Sequence, residues 1–223
     1  MSTYSHKWKE GTACGLPNGK VVCIGKNYAD HIKEMNSSTP SQPVLFIKPS
    51  TALCDAGETI AVSHLTHLGS LHHELEIALL IGTQVTSQTP DPMNAIVGIG
   101  LGIDLTLRDL QSSLKQAGLP WERAKAFDGS CALSAFVRPD PSLAYDDLTL
   151  ELQLNGKQQQ FSNSALMLSP IPALLEEIAN VFTLEPGDVV LTGTPAGVGP
   201  LSAGDRLTGS LNGSVFFEKT LVK

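Results

Sequence analysis

His72-His73-Glu74-Leu75-Glu76-Ile77-Ala78-Leu79-Leu80-Ile81-Gly82 is the stretch from which the rest of the chain is best read. Apolar residues run unbroken from Ile77 to Ile81 and stop at glycine, which predicts a strand entering a core. Side chains two apart in a strand share a face. Glu74 and Glu76 therefore project together, while Leu75 and Ile77 point the other way. Two like charges side by side at the mouth of a core repel unless a proton or a cation separates them. A hard divalent metal is the first candidate. The plain alternative is a pair of solvated glutamates on an exposed strand edge.

Upstream of this stretch, Lys20–Gly25 and Val44–Lys48 read as short buried strands, the second stopped by Pro49. Between them, Asn27 to Met35 predicts a short helix with Asn27 as N-cap, followed by a Ser- and Pro-rich loop from Asn36 to Pro43. Ile96–Ile103 predicts a buried strand whose glycines permit close backbone approach, and it delivers Asp104. A helix from about Thr106 to Ala117 carries Leu107, Leu110 and Leu114 on one face and ends at Gly118. Leu148–Leu154 alternates strictly into an Asn155-Gly156 hairpin turn. Pro170–Phe182 predicts an amphipathic helix, and Asp205–Val222 predicts strands about an Asn212-Gly213 turn. Strands outnumber helices, so the expected class is mixed α/β and β-rich, with a few peripheral helices.

The 223 residues are 42% hydrophobic and 17% charged with formal net charge −7, the balance of one folded domain of moderate size. Lys and Arg are scattered, so nucleic acid and anionic membrane are not expected partners. The start, Met1 to Trp8, lacks the apolar core of a signal peptide, and no apolar run approaches the roughly 20 residues that span a bilayer. Cys14, Cys23, Cys54 and Cys131 form no CxxC pair. A cytoplasmic protein with reduced structural thiols is the expectation, with a catalytic Cys131 the lesser alternative.

Three carboxylates fall at strand ends: Glu74, Glu76 and Asp104. Ligation by oxygen alone favours Mg²⁺ or Mn²⁺ over Zn²⁺. His72 and His73 are alternative ligands, although adjacent residues of a strand cannot easily face one metal. His31 and Glu34 share a helix face, and a carboxylate beside imidazole suits a general base. Arg108 and Gln111, also three apart, suit a substrate carboxylate or carbonyl. Lys125, among apolar neighbours, suits a developing enolate. Taken singly, each of these also reads as surface decoration. The Thr192–Gly199 loop lacks the lysine of a phosphate loop.

The ordered set Gly25–His31, Pro43–Pro49, His72–Glu76, Asp104–Asp109, Lys125–Asp128 and Leu191–Pro195 resembles the fumarylacetoacetate hydrolase family, especially its small single-domain acylpyruvases. The likeness runs from about Lys20 onward and leaves residues 1–19 as an N-terminal extension on a 20–223 catalytic domain. It implies a mixed β-roll and a homodimer. It further implies Mg²⁺ or Mn²⁺ on Glu74, Glu76 and Asp104, with His31, Glu34 and Lys125 catalytic. Arg108, Gln111, Thr194, Lys48 and Tyr28 would face a small 2-oxo acid. The leading activity it implies is hydrolysis of a carbon–carbon bond in acylpyruvates. Decarboxylation or keto–enol tautomerisation of oxaloacetate, neither needing an attacking water, is the alternative, and a non-catalytic oxoacid-binding protein is the least favoured.

Overall fold

Leu75–Ile81 is buried at every position in the structure, a computed structural model that describes residues 4–58 and 67–220. In chain order the elements begin with β1 (Val21–Gly25), α1 (Ala29–Glu34), β2 (Val44–Lys48), β3 (Leu53–Asp55), β4 (Leu71–His73) and β5 (Leu75–Ile81). They continue with β6 (Ile96–Asp104), β7 (Thr106–Leu107), α2 (Arg108–Gln116), α3 (Glu122–Lys125), β8 (Cys131–Leu133) and β9 (Thr149–Leu154). The last are β10 (Lys157–Asn163), α4 (Ile171–Val181), β11 (Val189–Leu191), β12 (Gly199–Pro200), β13 (Arg206–Leu211) and β14 (Ser214–Thr220). The expected tail strand is present as far as Thr220, and Leu221 and Val222 lie outside the described residues.

A seven-stranded sheet runs β2-β1-β11-β5-β6-β8-β3, parallel at β1–β11 and β3–β8 and antiparallel elsewhere. A four-stranded antiparallel sheet, β10-β9-β13-β14, packs on one side of it, and β12-β4-β7 forms a small third sheet. The period of two sorts the core. Val22, Ile24, Ile77 and Leu79 face Leu150, Leu152 and Leu207 of the four-stranded sheet. Val21, Cys23, Ala78 and Leu80 face the opposite way, where Trp8 and Phe136 cover them. The fold is β-rich mixed α/β with peripheral helices. No described helix is long and apolar enough to cross a membrane.

Gly98, Gly100 and Gly102 share the face of Asp104 on β6. A Cβ at Gly102 would sit 2.5 Å from Leu191 Cδ2, and one at Gly100 would sit 2.9 Å from Ser134 Oγ. The glycines let neighbouring chain lie directly on the strand that ends at Asp104. Two expected boundaries move. Asn27 does not cap α1; Tyr28 holds that position without a side-chain hydrogen bond. Buried Asn27 instead donates to the carbonyls of Ser169 and Thr192 and accepts from the Ser169 amide. α2 starts at Arg108, because Thr106 and Leu107 pair with β4 as a strand.

The segment before β1 closes over the second face of the large sheet. Trp8 is buried, the Lys9 amide donates to Phe136 O, and His6 Nε2 lies 3.0 Å from Gly187 O. Gly187 has φ +90, and a Cβ there would meet Pro17 O at 2.0 Å. Gly156, in the open hairpin turn, has φ +77 and nothing within 4 Å. We expect Gly156→Ala to cost about 1 kcal/mol, the left-handed backbone alone. Gly187→Ala should cost about 3 kcal/mol or more, since backbone must also move. Urea denaturation midpoints read the difference; equal losses would refute the close approach at Gly187.

Candidate active site

Register places the three carboxylates together. Glu76 pairs with Gly102 and Leu75 with Ile103 across β5 and β6, and the Asp104 amide donates to Glu74 O at 2.8 Å. Glu74, Glu76 and Asp104 therefore emerge on one face, and their ligand oxygens all lie within 4.8 Å of one another. All three are buried, at 5%, 2% and 1% exposure. Such a cluster survives in a dry interior only with compensating charge.

Three cations supply most of it. The Arg108 guanidinium donates to Glu74 Oε1. Lys125 Nζ donates to Glu74 Oε2 at 2.7 Å, Asp104 Oδ2 at 2.6 Å and Thr106 Oγ1 at 2.6 Å. Lys48 Nζ stands 2.8 Å from Asp104 Oδ1. Burial pushes the Glu74 carboxyl up, but Lys125 and Arg108 outweigh it and hold its pKa below the usual carboxylate range. Glu76 differs. It accepts the Gly193 amide at 2.6 Å, and among the described residues no cation forms an ion pair with it. Burial, with Asp104 and Glu74 beside it, drives its pKa well above the ordinary value. Three hard, buried oxygen donors, one lacking a counter-charge, suit a divalent cation of the Mg²⁺ or Mn²⁺ type.

The triad forms the floor of a cavity enclosing about 520 Å³ with its mouth included. His31, Arg108, Gln111, Lys125 and Thr194 join the triad in lining it. His31 Nδ1 lies 3.2 Å from Glu34 Oε2, and Glu34 Oε1 accepts the Gly197 amide at 3.0 Å. α1 is thereby tied to the Thr192–Gly199 loop. Gln111 Oε1 accepts from Arg108 at 2.7 Å. Thr194 Oγ1 is spent on structure, donating to Leu75 O and accepting from Gln160 Nε2.

Two expected substrate-facing residues lie elsewhere. Tyr28 does not line the cavity. Its extended backbone bridges to Met167, and its buried hydroxyl has no hydrogen-bond partner among the described residues. Lys48 has no exposed surface. Its ammonium donates to Lys125 O, Ser130 O and Ser130 Oγ behind Asp104, so it supports the site from below. Neither His72 nor His73 joins the triad; buried His73 Nδ1 lies 3.0 Å from Gln160 Oε1. Cys131 is fully buried with its thiol pKa raised, first by burial, which removes it as a nucleophile.

Sequence reasoning missed Thr106, Ser130 and Gln160. The last sits inside a polar run, Gln158-Gln159-Gln160, where a register shift in β10 turns it inward. Only that irregularity distinguishes it from its neighbours.

The sequence model of the fumarylacetoacetate (FAA) hydrolase C-terminal family matches residues 20–222. The chain belongs to the fumarylacetoacetate hydrolase family. It is 50% identical over 211 residues to the oxaloacetate tautomerase YcgM of Escherichia coli (strain K12), a match covering 93% of this chain and 94% of that protein. A family protein from Yersinia pestis CO92 superposes with TM-score 0.94 at 45% identity, over 98% of this chain and 100% of that one. Fumarylpyruvate hydrolase from Pseudomonas aeruginosa, solved with Mn²⁺ and pyruvate, superposes with TM-score 0.89 at 29% identity, over 100% and 97%. The chain is an enzyme of this family, and Glu74, Glu76 and Asp104 form a buried acidic cluster of the kind that can hold a divalent cation.

Glu76→Gln should weaken Mn²⁺ binding by about 100-fold or more, measured calorimetrically, since it removes a ligand charge. Unchanged affinity would exclude Glu76 as a ligand. Lys48→Met should destabilise the fold by about 3–5 kcal/mol, because it strips a buried ion pair of one partner. A loss below about 1 kcal/mol in denaturant melts would show that Lys48 does not support Asp104.

Proposed function

We propose that this enzyme interconverts the keto and enol forms of oxaloacetate. The carrying observation is the Lys125 ammonium, fixed within 2.7 Å of two members of the triad in a cavity that also holds His31. When bound on Glu74, Glu76 and Asp104, the divalent cation supplies Lewis acidity toward the 2-oxo acid end of the substrate. The identity to a tautomerase from E. coli supports this activity above the carbon–carbon hydrolysis with which the sequence led.

The chain's own groups divide the work. Arg108 and Gln111 stand at the cavity wall as a bidentate grip for a carboxylate. Lys125 has all three of its N–H bonds committed to Glu74, Asp104 and Thr106. It has no lone pair to offer a proton and acts as a fixed positive charge beside the developing enolate. Proton carriage falls to His31. With Glu34 accepting from Nδ1–H, Nε2 is the basic nitrogen, able to take the C3 proton of the keto acid and deliver it to the C2 oxygen as the enol forms, the reverse transfer restoring the keto acid. The homodimer and the cytoplasmic location are part of this reading, the former supported by exposed Phe161, Leu166 and Leu168.

Acylpyruvate hydrolysis is the second reading, favoured by the same His31–Glu34 pair, which would suit activation of a water. Purified enzyme with Mg²⁺ is assayed on oxaloacetate, acetylpyruvate and fumarylpyruvate, with enol loss followed by ultraviolet absorbance. Tautomerisation should dominate. His31→Ala should lower its kcat by about 10²–10³, the usual weight of a general base. Full tautomerase activity in that variant would remove His31 from the reaction, and faster turnover of the acylpyruvates would favour hydrolysis instead.

A further inference from the structure

The cavity has a second charged end. α2 begins at the triad with Arg108 and carries Gln111 and Lys115 three and seven residues on, so all three share one helical face. Side chains on a helix lean toward its N-terminus, which brings the Lys115 ammonium back over the cavity and toward the triad. Lys115 lines the cavity beside Trp121, with its ammonium 5.9 Å from that ring's centroid. Lys26, on the turn after β1, lines the same cavity, close enough for its charge to act on Lys115. Its φ is +62, a left-handed backbone that glycine or asparagine adopts at least cost. A lysine held in such a conformation at a cavity rim is strain of the kind that collects at functional sites.

Neither ammonium has a carboxylate partner among the described residues; Lys26 Nζ reaches only Ser38 O at 3.3 Å. Lys115 has its pKa lowered, first by burial and then by the charges of Lys26 and Arg108. Mutual repulsion of this kind in an acidic chain is what an absent anion would relieve.

We propose that Lys26 and Lys115 together bind the distal carboxylate of a dicarboxylic 2-oxo acid whose oxo-acid end lies at Glu74, Glu76 and Asp104. The pair is a specificity determinant, selecting diacids over monocarboxylic 2-oxo acids. This rests on a keto diacid as substrate, and the test separates the two claims by reading binding, without turnover.

The probes are 3,3-difluoro-oxaloacetate, which cannot enolise at C3, and pyruvate, which lacks the distal carboxylate. Both are titrated calorimetrically into the Mn²⁺-loaded enzyme. The diacid should bind about tenfold or more tighter than pyruvate. Lys26→Met and Lys115→Met should each shrink that ratio, and the double variant should bring it near unity. Lys115→Arg, which keeps the charge, should retain most of it. No preference in the wild type, or a preference that survives in the double variant, would overturn the proposal. A lysine-dependent preference in a protein without tautomerase activity would leave the subsite standing and remove only the assigned reaction.

Discussion

Charge compensation in a dry interior governs this molecule. An unpaired carboxylate in such surroundings costs several kcal/mol, and three lie within touching distance here. Arg108, Lys125 and Lys48 reach them from three directions: the start of α2, the end of α3 and the end of β2. Each of those elements is anchored to the same core. The glycines of β6 belong to the same arrangement, since they let Leu191 and Ser134 pack against the strand that ends at Asp104. Moving any of the three cations would leave a buried anion exposed to its neighbours, so the elements that carry them hold one relative position.

The same arrangement prepares chemistry. The counter-charges fall on Glu74 and Asp104, and among the described residues they leave Glu76 paired with a backbone amide alone. A hard cation would supply Glu76 with the partner that the three side-chain cations do not give it directly. An enolate formed above this floor meets positive charge that needs no rearrangement, which is the economical form of electrostatic catalysis. His31 faces this charge network from its own short helix, oriented by Glu34, which the Gly197 amide holds in turn.

Local pattern made much of this legible. The period of two put Glu74 and Glu76 on one face, the uninterrupted apolar run predicted β5, and the alternate glycines of β6 pointed to close packing. What escaped was decided by distant partners. Asn27 has the composition of a helix cap, but its amide is claimed by Ser169 and Thr192, more than a hundred residues away. Lys48 resembles a substrate ligand until its burial shows it beneath Asp104. Thr106 looks helical, yet β4 recruits it into a strand. The choice between hydrolysis and tautomerisation was hidden for a different reason. Both reactions pass through the same enolate, so the residues that stabilise it are common to both.

Gln160 has a further consequence. Its one side chain accepts the Leu75 amide, contacts His73, and donates to Thr194 Oγ1 and Pro195 O. It thereby rivets the four-stranded sheet to both the strand carrying the carboxylates and the loop that orients Glu34. Removing a satisfied amide from such a junction leaves several buried polar groups without a partner at once, which is costly in a dry interior. The outer sheet, though it contributes nothing to the reacting surface, therefore helps to hold the catalytic floor in place through this one residue.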